Sequence, residues 1–511
     1  MSPDEYERTE PIIGLEVHCQ LRTEAKLFSA APAEGASGEA ANTRTAPLDL
    51  GHPGTLPVVN EKAVELALRL ASVTGCRVAE RSTFARKHYF YPDLAKGYQI
   101  TQRADPLCYD GQVDVPADAA TEAPTARPDG RPRARPVRIR RLHLEEDAAK
   151  LVHEDGATKA DFNRAGVPLV ELVTEPDLRS PREAALFLKK IRRQVRYLGV
   201  SDGRMEAGSL RCDANVSLRR RGGGALGGRV EIKNLNSFRH LERALRYEAA
   251  RQARRVERGA AVEPETRRWD EDTEKTRPLR DKETTLDYRY LPEPDLPPLV
   301  VDEAMLKNVR ASMPERPGER KKRFVENIGL PERAAALLTE DRALADFYEE
   351  TVSRLYKLTG GGNTRRQAER AAHFLLNEGR RVLSEQGVPI DALPVRPQQM
   401  AELVYMLLED DLPGARAAAE VFEALLAGEG DDPEQIARDN DLLQIGGGRE
   451  ELAPLVERTL ERHSKNVHRY KSGKTELIHS FVGEVRSAFE EEHEGTPDPK
   501  LIREMIEERL N

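Results

Sequence analysis

The stretch GLEVHCQL at residues 14–21 alternates apolar and polar side chains, and the interpretation of the first half of the chain depends on it. Successive side chains of a β-strand point to opposite faces. Val17 and Cys19 therefore share one face, and Glu16 and His18 share the other. The stretch predicts a strand with one face in a core. The other face carries an acid and a histidine, and it is covered either by solvent or by a charged ligand.

The composition is typical of a globular chain with several domains. Its 511 residues are 33% charged and 39% hydrophobic, which is enough for two to four domains with separate cores. The formal net charge is −8. A chain that is acidic as a whole can bind nucleic acid only through local basic faces.

The sequence also argues against a secreted, a membrane-spanning and a disulfide-rich protein. The acidic start MSPDEYERTEP is unlike a secretory signal, and no apolar run approaches the ~18 residues of a membrane helix. The four cysteines, at positions 19, 76, 108 and 212, form no CxxC pair. We therefore expect a cytoplasmic protein with reduced thiols, without a disulfide framework, a structural zinc or a membrane contact.

The hydrophobic periodicity divides the chain into two halves. Residues 1–298 contain strand-like runs with helices between them, whereas residues 299–511 show helical patterns separated by Gly and Pro. The predicted fold class is α+β, with a mixed α/β domain followed by all-α helical and tail domains. We expect the helical half to divide into residues 299–395 and 396–511.

Capping and turn residues mark the predicted elements. Asn60 and Gly75 bracket the helical stretch EKAVELALRLASVT, and Ser180 with Glu183 forms a capping box before a second helix. The stretch SFRHLERALRYEAARQARRVERG predicts a third, long helix. Residues 112–136, rich in Pro and Ala, predict a surface loop between two strands, and RRRGGGALGG predicts the turn of a wide hairpin.

Acidic residues recur where the predicted strands would present them. The clusters are Glu16 with His18, HLEEDAAK at 143–150, VELVTEPD at 170–177 and MEAGSLRCDANV at 205–216. Asp213 and Asn215 share a strand face, and Glu231 and Lys233 share another on the hairpin partner. One such acid is more often part of a solvated face than of a site. Four clusters in one domain indicate a site for a hard cation such as Mg²⁺ and for nucleotide phosphates.

Two loops combine basic and aromatic residues. RKHYFYPDLAKGYQITQ at 86–102 contains Lys87, and LDYRYLPEPDLPPL at 286–299 is stiffened by four prolines. Such loops can grip a phosphate together with a base or a ribose. The structural alternatives are a surface loop with buried aromatics and a rigid interdomain linker. No P-loop, GxSxG or HExxH motif is present, so the sequence predicts no covalent nucleophile.

Eight segments in the first half resemble, in order, the GatB family, which belongs to the tRNA-dependent amidotransferase that acts on aspartyl/glutamyl-tRNA, the GatCAB complex. They are PIIGLEVHCQL, RKHYFYPDLAKGYQITQ, RLHLEEDAAKL, FNRAGVPLVELVTEPDLRSPREA, YLGVSDGRMEAGSLRCDANVSL, EIKNLNSFRHLERAL, ETRRWDEDTEKTRPLRDKE and DYRYLPEPDLPPL. The resemblance covers nearly all of residues 10–300 and extends more loosely to the C-terminus.

The resemblance implies an ATP-dependent carbon–nitrogen ligase. The side-chain carboxyl of misacylated Asp-tRNA(Asn) or Glu-tRNA(Gln) is phosphorylated with ATP and Mg²⁺. Ammonia then displaces phosphate and gives Asn-tRNA(Asn) or Gln-tRNA(Gln). The ammonia comes through a channel from the glutaminase (amidase) GatA, and the small protein GatC braces the heterotrimer. The resemblance also implies a glutamine synthetase-like cradle for residues 1–298 and a YqeY-like, tRNA-binding tail for residues 396–511.

The resemblance also carries roles onto individual positions. The positions for the metal and the channel mouth are Glu16, His18, Glu146 and Glu171. The positions for ATP and its phosphates are Lys87, Asp213, Glu231 and Lys233. Catalysis is implied for Glu146, Glu171 and Lys87, and the division of roles between Glu145 and Glu146 stays open.

The chain departs from the family pattern in two regions. The stretch LFSAAPAEGASGEAANTRTAPLDLGHPG after the first strand lacks the paired cysteines with which some members bind zinc, so no zinc is expected. After FVGEV the chain is acidic, with RSAFEEEHEG, where relatives are often basic. We therefore expect the tRNA contacts of the tail in HSKNVHRYKSGK, at Lys465, Arg469, Lys471 and Lys474.

Two other functions stay open beside the ligase. One is a tRNA-binding scaffold of the same complex without catalysis, and the other is a free-standing ligase for a small substrate. The presence of all four metal-site residues argues against the scaffold, and the helical half argues against the small substrate. Asp-tRNA(Asn) and Glu-tRNA(Gln) remain alternative substrates.

Overall fold

The computed structural model describes residues 9–33, 40–117, 134–154, 156–221, 224–279, 288–360, 364–386, 390, 393–409, 411–443, 448–472, 474, 477–493 and 497–510. The chain forms two compact units, Met1–Pro314 and Glu315–Asn511. The first unit mixes strands and helices, and the second is helical in its described residues. This confirms the predicted α+β class.

The described part of the first unit contains sixteen strands. They are β1 (Thr9–Gln20), β2 (Arg77–Val78), β3 (Arg81–Ser82), β4 (Ala85–His88), β5 (Tyr98–Thr101), β6 (Cys108–Pro116), β7 (Ala134–Glu146), β8 (Lys150–Glu154), β9 (Ala157–Asp161), β10 (Pro168–Thr174), β11 (Leu210–Arg220), β12 (Val230–Lys233), β13 (Glu265–Asp270), β14 (Lys275–Pro278), β15 (Leu291–Pro292) and β16 (Leu299–Val300). Its helices are α1 (Glu61–Val73), α2 (Pro181–Tyr197), α3 (Phe238–Glu257) and α4 (Glu303–Ala311).

Nine strands form one large sheet in the order β14-β13-β12-β11-β1-β10-β7-β6-β2. β1 is the middle strand, and it pairs antiparallel with both β10 and β11. The neighbouring strands of the sheet are antiparallel except β12 and β13, which are parallel. The strand predicted from GLEVHCQL is thus confirmed, and it forms the centre of the sheet.

The two faces of β1 divide as the alternation predicts. Val17 and Cys19 are 1% and 2% exposed and belong to the main apolar core, to which α1, α2 and α3 also contribute. Glu16 and His18 are half-buried on the opposite face. We call this second side the polar face of the sheet, because the helices that complete the core cover the other side.

Helix starts follow the capping residues. The Asn60 side chain accepts from the first free N–H groups of α1, and the Ser180 side chain accepts from Glu183 N at 3.1 Å. The Glu183 carboxylate in turn accepts from Arg179 N at 2.8 Å, which satisfies a second N–H at the same end. The three helices predicted in the first half are confirmed.

The two predicted connections are described only in part. β6 continues to Pro116 and β7 begins at Ala134, so both ends of the predicted loop 112–136 are strand. The rest of that loop, residues 118–133, lies outside the described residues. The predicted wide hairpin is confirmed by the antiparallel pairing of β11 with β12.

Residues after the predicted boundary at 298 still belong to the first unit. β16 pairs with β3, α4 contacts α1, and Val301 and Val309 join the main core. The remaining small sheets have the orders β15-β4-β5 and β8-β9. The unit therefore ends at Pro314.

The second unit consists of short helices. They are α5 (Pro317–Arg323), α6 (Glu332–Leu338), α7 (Arg342–Leu358), α8 (Thr364–Phe374), α9 (Arg380–Gln386), α10 (Pro397–Leu408), α11 (Ala415–Ala427), α12 (Pro433–Asp439), α13 (Arg449–Arg462), α14 (Ser464–Lys471), α15 (Ile478–Glu492) and α16 (Pro499–Leu510), with π-helical turns at Phe324–Ile328 and Leu375–Gly379.

The helices of the second unit share two separate cores. One contains buried residues from Phe324 to Leu443, and the other contains buried residues from Leu452 to Leu510. A division at residue 395 falls inside the first of these cores, so the assignment of residues 396–511 as a tail domain stays a prediction. Within the described ranges, none of the helices combines the length and the apolarity needed to cross a lipid bilayer.

Candidate active site

The strand register gathers polar side chains from the middle of the large sheet. His18 on β1 lies opposite Glu171 on β10 and opposite Arg211 on β11. Glu171 lies opposite His143 on β7. Because directly paired residues point to the same face, these four side chains form a row across the polar face.

His18, Glu145 and Glu171 form a compact group that we call the carboxylate–histidine cluster. His18 Nε2 lies 3.4 Å from Glu171 Oε2 and 3.6 Å from Glu145 Oε1. One ligand atom from each residue lies within 4.8 Å of the others. Glu145 and Glu171 are 4% and 7% exposed. Among the described residues, this is the group of acids and histidines whose spacing fits a metal ion.

Burial and mutual repulsion control the protonation of the cluster. Burial alone would lower the pKa of His18, but the hydrogen bond and charge of Glu171, with the charge of Glu145, raise it to about 9. Burial and then the charge of Glu171 raise the pKa of Glu145. Burial opposes ionisation of Glu171, but His143 and His18 hold the pKa of that carboxyl below its usual range. A cation at this position would therefore replace a proton on His18.

Glu146, which the sequence assigned to the metal, does not join the cluster. It follows Glu145 on β7 and therefore points to the opposite face, the face on which Leu144 enters the core. Its carboxylate accepts from Lys96 Nζ at 2.6 and 2.7 Å and from Ile100 N at 2.8 Å. We correct the proposed ligand set accordingly, with Glu145 in place of Glu146.

Glu16, Asp213 and Glu231 form a second acidic group beside the cluster. Glu16 lies opposite Asp213 in the register, and it accepts from Asn215 Nδ2 at 3.2 Å. Lys233 Nζ lies 3.6 Å from Glu231 and 3.8 Å from Asp213. Burial, then the charges of Glu171, Glu231 and Asp213, raise the pKa of Glu16, so the two groups interact electrostatically across the face.

Lys87 approaches the cluster from β4. Burial alone would lower its pKa, but the charge of Glu145, followed by Tyr290, Tyr288 and Glu171, raises it above its ordinary value. Its ammonium also lies 4.8 Å from the centre of the Tyr288 ring. The two predicted loops, residues 86–102 and 286–299, thus meet through these side chains.

The edge of the cluster is held by a buried carboxylate that the sequence analysis missed. Asp147 is 3% exposed, and it accepts from Arg211 at 2.9 Å and from Gln20 at 3.0 Å. His143 was missed too, and its Nε2 lies 3.6 Å from Glu171. Burial is the main reason that the pKa of His143 falls to about 4, so this imidazole is neutral near pH 7.

The sequence contains a local signal for the placement of His143 and Glu145. Leu142 and Leu144 are apolar, so alternation along RLHLEED puts His143 and Glu145 together on the opposite, polar face. The partner of Glu146, Lys96, lies fifty residues away in the chain and has no such local signal.

The predicted tRNA-contacting residues lie in the second unit. Lys465, Arg469 and Lys471 are exposed on α14, and Lys474 is exposed after it. α14 has the sequence SKNVHRYK, which contains no acid. These residues form a short basic segment of a chain that is acidic overall.

Comparison with known proteins identifies the family. Residues 11–307 match a family described as the GatB/GatE catalytic domain, and residues 359–510 match one described as the GatB domain. The B subunit of the aspartyl/glutamyl-tRNA(Asn/Gln) amidotransferase of Salinibacter ruber is 50% identical over 99% of this chain and 98% of its own length. The chain belongs to the GatB family. The corresponding proteins of Halorhodospira halophila and Thermodesulfovibrio yellowstonii are 44% and 42% identical, over 98% and 97% of this chain and 99% and 98% of their own lengths.

The two family matches cover the acidic groups of the first unit and helix α14 of the second. The catalytic-domain match includes every residue of the cluster and of the second acidic group, and the GatB-domain match includes α14. The sequence similarity to the GatB family therefore includes all of these residues. The resemblance that the sequence motifs indicated is confirmed.

Proposed function

We propose that this chain is the part of a tRNA-dependent amidotransferase that activates and amidates the aminoacyl group. In this proposal, ATP phosphorylates the side-chain carboxyl of Asp-tRNA(Asn) or Glu-tRNA(Gln). Ammonia then displaces phosphate and gives Asn-tRNA(Asn) or Gln-tRNA(Gln). The observation that carries the proposal is the pair of acidic groups on one sheet face, with Lys87 and Lys233 beside them, in a chain of the GatB family.

The donor set fits the Mg²⁺ that ATP chemistry requires. Carboxylate oxygens are the preferred ligands of this hard cation, and the half-buried imidazole of His18 lies beside two of them. His18, Glu145 and Glu171 would hold it, with Glu16 in the neighbouring group. When bound, Mg²⁺ neutralises phosphate charge and orients the transferred group.

The residues around the cluster have separable roles. Lys87 and Lys233 carry ammonium groups toward the acids from two sides, and each can contact a phosphate oxygen. Asp213 and Glu231 hold Lys233 in place. His143 Nε2 lies 3.6 Å from Glu171, and the hydrogen bond and charge of His18 help to keep that carboxylate ionised.

The same proposal assigns the partners and the nitrogen source. The sequence contains no glutaminase motif, so ammonia must be supplied by the glutaminase GatA, with the small GatC as the third member of the heterotrimer. The large, mostly antiparallel sheet with one polar face supports a glutamine synthetase-like cradle. We assign the activity to translation in the cytoplasm, with no zinc in the site.

The helical half would hold the tRNA body. α14 and Lys474 provide an exposed basic segment that can contact phosphates, although the chain is acidic overall. A scaffold without catalytic function is the second candidate, and the same basic segment favours it. The acids of the cluster distinguish the two, because a scaffold does not need them.

The test is Glu171→Gln in the complex rebuilt with GatA and GatC, with misacylated tRNA, ATP and glutamine. We expect amidated tRNA to fall by about 10–100-fold or more, because a ligand of the cation is lost, while tRNA binding and glutamine hydrolysis stay measurable. The matched control is Glu175→Gln, because Glu175 follows the same strand and pairs with the exposed Arg140. Normal amidation by Glu171→Gln would support the scaffold and overturn the catalytic proposal.

A further inference from the structure

The ammonium of Lys87 is held in an unusual way. Within the described residues it has no ion pair or hydrogen bond, although Glu145 and Glu171 both attract it. The contact that fixes it is the ring of Tyr288, whose centre lies 4.8 Å from Lys87 Nζ. A cation at this distance from an aromatic face is attracted by the ring quadrupole.

The backbone of Tyr288 is clamped to the strand that carries Lys87. His88 N donates to Tyr288 O at 2.8 Å, and His88 Nδ1 lies 2.9 Å from Arg289 O. β15 follows directly and pairs with β4, with Leu291 opposite Arg86. The segment that carries the ring is therefore attached to the strand that carries the lysine.

A buried ion pair strengthens the same attachment. Arg86 donates to both oxygens of Glu293 at 2.8 Å, and the Glu293 side chain is fully buried. Such a two-point arginine–carboxylate pair fixes geometry as well as distance. It joins β4 to the segment that begins at Tyr288.

Neighbouring rings limit the orientation of Tyr288. It packs edge-to-face against Tyr89 and against Tyr290, with ring centres 6.1 and 6.2 Å apart. Both distances are within the range of favourable aromatic pairs. The face that Lys87 contacts is thus presented by a ring with little freedom to turn.

Without this ring, Lys87 is still attracted by the carboxylates of the cluster, Glu145 and Glu171. An ammonium that is partly removed from water gains most by forming a direct ion pair. Lys87 would then occupy an oxygen of Glu145 or Glu171 that a cation needs, and it would no longer be available to a phosphate.

We propose that Tyr288 is a positioning residue of the site: its ring keeps the Lys87 ammonium off the carboxylate–histidine cluster, so that the cluster stays free for a divalent cation. This inference rests on the proposed function, and it deepens the role of one of its residues. Tyr288 itself touches no reacting group, because it acts through Lys87.

The test measures Mn²⁺ binding to the full chain without nucleotide, by titration with electron paramagnetic resonance. Tyr288→Leu keeps apolar volume but removes the ring, and we expect Mn²⁺ affinity to fall on the order of fivefold, the range of a partly desolvated cation–π contact. Tyr288→Phe keeps the ring and should bind like the unmodified chain.

A second set of variants distinguishes a positioning role of Tyr288 from a general structural role. In a chain that carries Lys87→Met, adding Tyr288→Leu should leave Mn²⁺ affinity unchanged, because the competing ammonium is gone. The matched control is Tyr98→Leu, which removes the ring beneath Arg86 at 4.5 Å, a cation that Glu293 already holds. That variant should retain Mn²⁺ binding.

Two results would overturn the inference. One is unchanged Mn²⁺ affinity in Tyr288→Leu, and the other is an equal loss from Tyr288→Leu with and without Lys87→Met. Failure of the proposed function is seen separately, because the unmodified chain would then bind no Mn²⁺ and the rebuilt complex would form no amidated tRNA.

Discussion

Glu145 and Glu146 are adjacent in the sequence but point to opposite faces of β7, so the same substitution has opposite consequences at the two positions. Glu145 belongs to the carboxylate–histidine cluster, whereas Glu146 is paired with Lys96 on the other side of the sheet. We expect Glu145→Gln to abolish metal binding with little effect on the metal-free fold. We expect Glu146→Gln to destabilise the fold and to leave metal binding intact.

The loss of stability expected for Glu146→Gln follows from the burial of its partner, Lys96. The Lys96 and Glu146 side chains are 9% and 5% exposed. Removing one partner of a buried pair leaves the other charge without compensation, at a cost of about 3–5 kcal/mol. The unit Met1–Pro314 has an unfolding entropy of about 0.66 kcal/mol/K, so this free energy corresponds to a melting temperature lower by roughly 5–8 °C.

The effect at Glu145 comes from the metal. Burial and the charge of Glu171 already disfavour the ionised carboxyl, so a neutral amide costs the metal-free protein little, roughly 1 kcal/mol or less. A cation at a hundred times its dissociation constant stabilises the unmodified protein by about 2.7 kcal/mol. Glu145→Gln should lose that metal-dependent stabilisation.

Thermal melts of the full chain at pH 8, with and without Mn²⁺, measure both effects. A control with Lys96→Met and Glu146→Gln removes both charges of the pair and keeps an acceptor for Ile100 N, so it should recover stability and bind Mn²⁺. Glu146 would be the metal ligand, and not Glu145, if Glu146→Gln melted normally but no longer responded to Mn²⁺ while Glu145→Gln still did.

Three further predictions concern protonation, the fold and tRNA. His18, which faces Glu145 and Glu171, is protonated below a pKa of about 9 in the metal-free protein, so Mn²⁺ must displace that proton. Mn²⁺ affinity should therefore rise with pH between 6.5 and 9, by at most about tenfold per pH unit, and titrations with a flat profile would contradict this. The Lys26 side chain is fully buried, and its ammonium lies 3.1 Å from the Asp49 carboxylate. Asp49→Asn removes that charge and should lower the free energy of unfolding in urea by about 3–5 kcal/mol. A decrease below about 1 kcal/mol would show that the ion pair contributes little to stability. Replacing Lys465, Arg469, Lys471 and Lys474 with Gln should raise KM for tRNA and leave turnover at saturating tRNA near normal. The salt dependence of tRNA binding should fall by about one unit of slope per lost phosphate contact. An unchanged KM would exclude this segment from tRNA binding.

The local features of this protein were readable from its sequence. The period of two in GLEVHCQL predicts the strand and the face of Glu16 and His18, and both are confirmed. Ser180 and Glu183 predict the start of α2 in the same way. Such features depend on residues within about four positions, because alternation and capping use only neighbouring backbone groups.

The composition of the site depended on pairing between distant strands. Alternation along RLHLEED favours Glu145 for the polar face, but the register of β7 with β10 is what brings it to Glu171. Glu146 can be buried on the core side only because Lys96, on a different loop, neutralises it there.

The tertiary structure also decided where the first unit ends. Residues 299–314 belong to it because β16 finds its partner in β3, far earlier in the chain. The sequence by itself determined the central strand with its two faces, the three helices of the first half and the family. Only the folded chain decided which carboxylates meet, because strand register and buried charge compensation are long-range properties that no local pattern encodes.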